Sequence, residues 1–113
     1  MKYAKIFGVF LVMALATVTN AWALGIGMPT ELEQSVEFTR CNDEAGSWRC
    51  IVKNKTNRVI NMGMYYGTSY DRDEVKIDEG NLSGTIEPGG STKINFSILG
   101  YASKVSKIVI RAR

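Results

Sequence analysis

The stretch LEQSVEFTRCNDEAGSWRCIV, residues 32–52, decides the fold class. Leu32, Val36 and Phe38 share one parity, and Glu33, Ser35, Glu37 and Thr39 share the other, the period-two mark of a half-buried strand. Asn42–Ser47 is polar and rich in turn formers, after which Trp48, Cys50 and Val52 begin a second alternation. The segment predicts a hairpin with Cys41 and Cys50 flanking its loop. They are the chain's two cysteines, and no C-x-x-C spacing suggests redox work. A structural disulfide across a loop of about ten residues restricts the unfolded chain by roughly 2.5–3 kcal/mol on the chain-entropy model.

Downstream, Val59–Tyr66 (VINMGMYY) predicts a third strand with Ile60, Met62, Met64 and Tyr66 facing inward and Tyr65 outward. Residues Gly67–Asp73 are polar and read as a loop. Shorter strands are expected at Glu74–Asp78 and Leu82–Ile86, before the Pro88-Gly89-Gly90 turn. Thr92–Leu99 places Ile94, Phe96 and Ile98 inward. In Val105–Arg113, Ile108, Ile110 and Ala112 oppose Lys107, Val109 and Arg111. No segment shows helical spacing. About seven short strands predict an all-β, antiparallel, immunoglobulin-like β-sandwich over residues 32–113. Strand count and alternation do not separate this sandwich from a small barrel.

Upstream, residues 24–31 begin LGIGMPT and read as a flexible arm, because two glycines and a proline interrupt them. Residues 1–23 read as a signal peptide. Lys2 and Lys5 form its positive head, Ile6–Val18 its apolar run, and Ala21-Trp22-Ala23 an A-x-A cleavage site. The run is shorter than the roughly 18–20 residues that span a bilayer, and no cysteine follows the site to take a lipid. The expected location is therefore the bacterial periplasm or the medium. Without Lys2 and Lys5, the 14 basic residues become 12 against 11 acidic ones, a balance of +1. Such a balance leaves no electrostatic footprint for nucleic acid. Lys104, Lys107, Arg111 and Arg113, clustered late in the chain, read as a solvated strand face.

Three pieces carry a resemblance: Val52-Lys53-Asn54-Lys55-Thr56, Met64-Tyr65-Tyr66, and Ile86-Glu87-Pro88-Gly89-Gly90-Ser91-Thr92-Lys93-Ile94-Asn95-Phe96. Together Trp48–Ser97 resembles the small bacterial extracytoplasmic sandwiches of the FxLYD and related immunoglobulin-like type. That resemblance implies a sandwich fold and an accessory role, and it brings no catalytic residues with it.

The chain has no histidine, which removes the usual general base and the commonest metal ligand. No hydrolase, zinc-protease or phosphate-loop motif occurs, and no Ser-x-x-Lys pair supports a nucleophile. No catalytic residue and no cofactor is expected, so the chain reads as a non-enzyme. Asp71, Asp73, Glu74, Asp78 and Glu79 could offer oxygens to calcium, but EF-hand spacing fails and Arg72 and Lys76 intervene. A solvated loop is the plainer reading. Met62 and Met64 could hold Cu(I) through paired thioethers, although core filling explains them without a metal. Trp48 is expected to pack beside Cys50. The N-x-[ST] sequons at Asn54, Asn81 and Asn95 read as chance.

Tyr65 and Tyr70, with Asp71, Arg72 and Asp73, are the expected partner-binding residues, because tyrosine offers a large contact area at low entropy cost. The expected function is a non-enzymatic periplasmic binding or accessory module with a protein partner, such as a small subunit of an envelope assembly. The competing reading is an inhibitor or immunity protein that plugs an enzyme cleft with the Gly67–Glu79 loop.

Overall fold

A computed structural model describes residues 24–113; the leader read at residues 1–23 lies outside them. The predicted hairpin is present as β2 (Val36–Glu44) and β3 (Ser47–Asn54), with Cys41 and Cys50 bonded as direct partners. Its loop is shorter than the six polar residues suggested. Ala45 and Gly46 turn the chain alone, both with positive φ (55° and 86°), as a two-residue hairpin requires. Period two does not run unbroken along β2. A register shift between Phe38 and Arg40 changes the parity, so that Val36, Phe38 and Cys41 all face inward. The strand β8 (Ser91–Asn95) pairs with the free side of β3, setting Ile94 opposite Cys50.

The second sheet runs in the order β1 (Gly25–Gly27), β9 (Lys107–Ala112), β5 (Tyr65–Tyr70), β6 (Lys76–Asn81). Pairing is antiparallel from β9 to β6 and parallel between β1 and β9. Ile108 and Ile110 face inward beneath Ser69 and Gly67. A two-residue ladder of β4 (Ile60–Asn61) and β7 (Thr85–Ile86) makes a third sheet. One core joins the two larger sheets, with Val36, Phe38, Cys50, Val52 and Ile94 on one side and Ile26, Ile108 and Ile110 on the other. The sheets are separate and open-edged, so the architecture is an all-β sandwich and not a barrel. Among the described residues it has nine strands where about seven were expected; β1 and β4 are the two additions, and β7 is what remains of the strand expected at Leu82–Ile86.

Four expectations need correction. Residues 24–31 do not form a free arm: Leu24 and Ile26 are buried, and Gly25 N donates to Ser106 O at 3.0 Å. The first strand starts at Val36, because Thr30–Ser35 form a single helical stretch, α1, whose Glu33 N–H bonds to Pro29 O. Leu32 is buried there too, and its four-residue spacing from Val36 suits a helix as well as a strand.

The third correction falls on Val59–Tyr66. Asn61 Oδ1 accepts from Gly63 N at 2.8 Å and nucleates a 3-10 turn over Met62–Met64. Met62 is buried, whereas Met64 is 63% exposed, so the two thioethers do not share a face and no Cu(I) pair is formed. Residues Gly67–Tyr70, read as loop, are buried or half-buried strand. Fourth, the Thr92–Leu99 strand ends at Asn95. Ile94 and Phe96 are buried as expected, but Ile98 sits in a second 3-10 turn, Ser97–Leu99, and is largely exposed.

Candidate interaction surface

The 3-10 turn at Met62–Met64 restarts the alternation one residue out of phase. Odd residues of β5 therefore face the core: Tyr65 packs against it, and the Ser69 hydroxyl donates to Leu99 O at 2.6 Å. Even residues face outward. Tyr66, Thr68 and Tyr70 line up on the outer side of the four-stranded sheet, opposite Arg111, Val109 and Lys107 of β9. Tyr66 thus takes the outward place expected for Tyr65, and Tyr65, half-buried, turns toward the core.

This outer face is bound together by charge. Arg111 Nη1 donates to Thr68 Oγ1 at 3.3 Å, and Thr68 Oγ1 lies 3.5 Å from Glu79 Oε1. Lys76 Nζ meets the same Glu79 oxygen at 2.8 Å. That hydrogen bond, with the attraction behind it, holds the Glu79 carboxyl below the usual carboxylate range and raises Lys76 above the usual lysine value. Lys107 Nζ stands 5.2 Å from the centre of the Tyr70 ring and 3.0 Å from Glu74 Oε1. At the β6 edge of the sheet, Tyr66, Lys76, Glu79, Asn81 and Arg113 line a shallow pocket of about 560 Å³.

The β5–β6 connection is a tight turn over Asp71–Val75. Asp71 Oδ1 accepts from Asp73 N (2.8 Å) and Val75 N (3.0 Å), and Asp71 N bonds to Val75 O. The Asp71 carboxylate is thereby committed to shaping the turn. Arg72 and Asp73 stay exposed beside it, and Val75 is 59% exposed at the tip. Of the five expected contact residues, the fold gathers Tyr70, Asp71, Arg72 and Asp73 at one end of the hairpin and turns Tyr65, half-buried, against the core. Among the described residues, no three acidic or cysteine side chains converge to hold a metal.

A further concavity falls where no site was expected. A trough of about 640 Å³ runs along β1 and β9, with Met28, Pro29, Val109 and Ala112 among its walls and the backbones of Gly25 and Gly27 in its floor. Lys107 and Arg111 stand on its margin. In the sequence, the alternation of Leu24, Gly25, Ile26 and Gly27 was the available sign that this segment is a strand.

Comparison with models of protein families, with curated proteins and with solved structures finds no match in any of the three.

Proposed function

We propose that the protein is a non-enzymatic binding module working outside the cytoplasm, and that the outer face of β9, β5 and β6 contacts a protein partner. The observation that carries this reading is the row of Tyr66, Tyr70, Arg111 and Lys107 on a backbone whose hydrogen bonds are taken up by its neighbours in the ladder. Tyrosine and arginine are the side chains over-represented where interfaces draw their binding energy, and a paired sheet presents them from a backbone that is already ordered. The Cys41–Cys50 bond and the leader read at residues 1–23 support an oxidising, extracytoplasmic setting. The resemblance of Trp48–Ser97 to FxLYD-type sandwiches supports an accessory role in the cell envelope. The inhibitor reading now rests on a much smaller feature, the five-residue tip Asp71–Val75 with its exposed valine.

Site-specific photocrosslinking tests the proposal. A benzophenone side chain at Tyr66 or Tyr70 should give one discrete adduct in envelope extract, while the same group at Lys53, exposed on the other sheet, should give none. Equal labelling from both faces, or none from either, would refute it.

A further inference from the structure

The trough beside β1 is apolar, built partly of glycine, and bordered by positive charge. Neither glycine is required by the backbone. Gly25 and Gly27 have no left-handed φ, and a Cβ built on them would meet its nearest atoms at 3.9–4.0 Å, ordinary contact distances. Glycine in a strand weakens it, and one established reason to keep it is the close approach of a ligand or another backbone. Here the missing side chains leave the floor open, while Met28, Pro29, Val109 and Ala112 supply apolar walls. The volume of about 640 Å³ falls within the range of small-molecule sites.

The charge of the margin selects the occupant. Among the described residues, Lys107 and Arg111 are the charged side chains lining the trough, and no carboxylate lines it. Lys107 is engaged by Glu74 and Tyr70. Arg111 donates to the neutral Thr68 hydroxyl and, among the described residues, has no carboxylate within ion-pair distance. A guanidinium offers five N–H donors, so most of its capacity is available to a bound anion.

The backbone disfavours a peptide strand as the occupant. Gly25 N bonds to Ser106 O, so Gly25 and Gly27 turn their polar groups to β9 and Ile26 turns its own away. Ile26 is only 1% exposed, which leaves no accessible main-chain partner for an added strand. An occupant that needs no such partner is an alkyl chain. From Lys107 to Ala112 the trough floor runs about 17 Å at strand rise, room for an extended chain of about a dozen carbons.

We propose that this trough binds a free long-chain carboxylate, its alkyl chain laid over Gly25 and Gly27 and its head group on Arg111. Titration calorimetry with sodium dodecanoate below its micelle-forming concentration tests this. The purified protein should bind one equivalent saturably, and dodecyltrimethylammonium should bind at least about tenfold more weakly. Gly27→Leu should reduce dodecanoate affinity by about tenfold or more with little change in melting temperature, and Arg111→Gln by about three- to tenfold. Should Gly27→Leu fail to fold, Val109→Glu, which sets a carboxylate in the wall, must abolish binding in its place. No saturable binding, equal affinity for the cationic amphiphile, or unchanged affinity in the variants overturns the proposal. So does binding to anionic phospholipid vesicles without binding to dodecanoate.

Discussion

The Asn54 carboxamide donates to the Ile86 carbonyl at 2.9 Å and so ties the end of β3 to the short strand β7. Its second N–H goes to Arg58 O, and its oxygen accepts from Thr56 N and Thr56 Oγ1. Asn54 is completely buried, and all four of its bonding positions are filled. Asn54→Ala should therefore lower the unfolding free energy by roughly 2–4 kcal/mol, because buried carbonyls lose their donors. Asn54→Asp should be no better, since it turns a carboxylate toward those same carbonyls. Urea unfolding of both variants measures this, and a loss below about 0.5 kcal/mol would contradict the assignment.

Met62 and Met64, two residues apart, should respond oppositely to truncation. Met62→Ala opens a cavity at a fully buried position and should cost roughly 2–5 kcal/mol. Met64→Ala removes a side chain that is mostly in solvent and should change stability by about 0.5 kcal/mol or less. Dilute peroxide followed by peptide mass mapping gives an independent readout. Met64 should oxidise first, with Met62 protected until the protein unfolds.

The contrast between these methionines shows where the sequence was legible. The strands β3 and β9 follow from alternation, since Cys50 and Val52, and Ile108 and Ile110, face the core on strict period two. Residues 60–70 were misread because Asn61 can bond to the Gly63 N–H, and side-chain chemistry of that kind competes with a strand. The resulting turn reversed the parity of Tyr65 and Tyr66, and with it the composition of the candidate surface. Residues 24–27 were misread for another reason. Glycine and proline resemble a linker by composition, and only long-range pairing to β9 reveals Gly25–Gly27 as sheet. The tie from Asn54 to Ile86 carried no signal, because the two are thirty-two residues apart.

Replacing Cys41 and Cys50 together by serine should lower stability by roughly 2–4 kcal/mol. Both sulfurs are buried within the main core cluster, so the substitution also leaves two hydroxyls in apolar surroundings. Thermal melts of the oxidised protein and of the double variant, with and without reductant, measure the loss. The variant should be insensitive to reductant. A wild-type protein with two titratable thiols would remove the basis of the prediction.

Gly67 and Gly80 are Cα partners across β5 and β6, and each would bring a Cβ within 2.9 Å of a neighbour. The neighbours differ. At Gly67 the obstacle is Leu99 Cδ1, on a fully buried side chain packed among Ile108 and Leu82. At Gly80 it is the far end of Ile98, which is 48% exposed and free to rotate outward. Gly67→Ala should cost roughly 1–3 kcal/mol by overpacking, and Gly80→Ala should be nearly neutral. Equal losses would mean that Ile98 is held as firmly as Leu99.

The ion pair of Lys76 and Glu79 should be visible by titration yet contribute little to stability. Glu79 titrates below the usual carboxylate range chiefly because Lys76 donates a hydrogen bond to its charged form, with smaller help from Thr68 and Arg111. Its favourable interaction is present above the unfolded-state value and is lost as pH falls through the lowered folded value. Lys76 is raised, so its contribution is present below the ordinary lysine value and is lost as pH rises through the higher one. Between those limits, neutral pH included, the pair stands intact. Both groups are bathed in solvent, where screening leaves ion pairs weak, so Lys76→Gln should leave the melting temperature at pH 7 unchanged within error. Carbon-13 titration of the Glu79 carboxyl is the sensitive measurement. Its midpoint should lie below the usual glutamate value, rise in Lys76→Gln and rise less in Arg111→Gln, because Arg111 acts from further away. A midpoint indifferent to Lys76 would show that the 2.8 Å contact does not persist in solution.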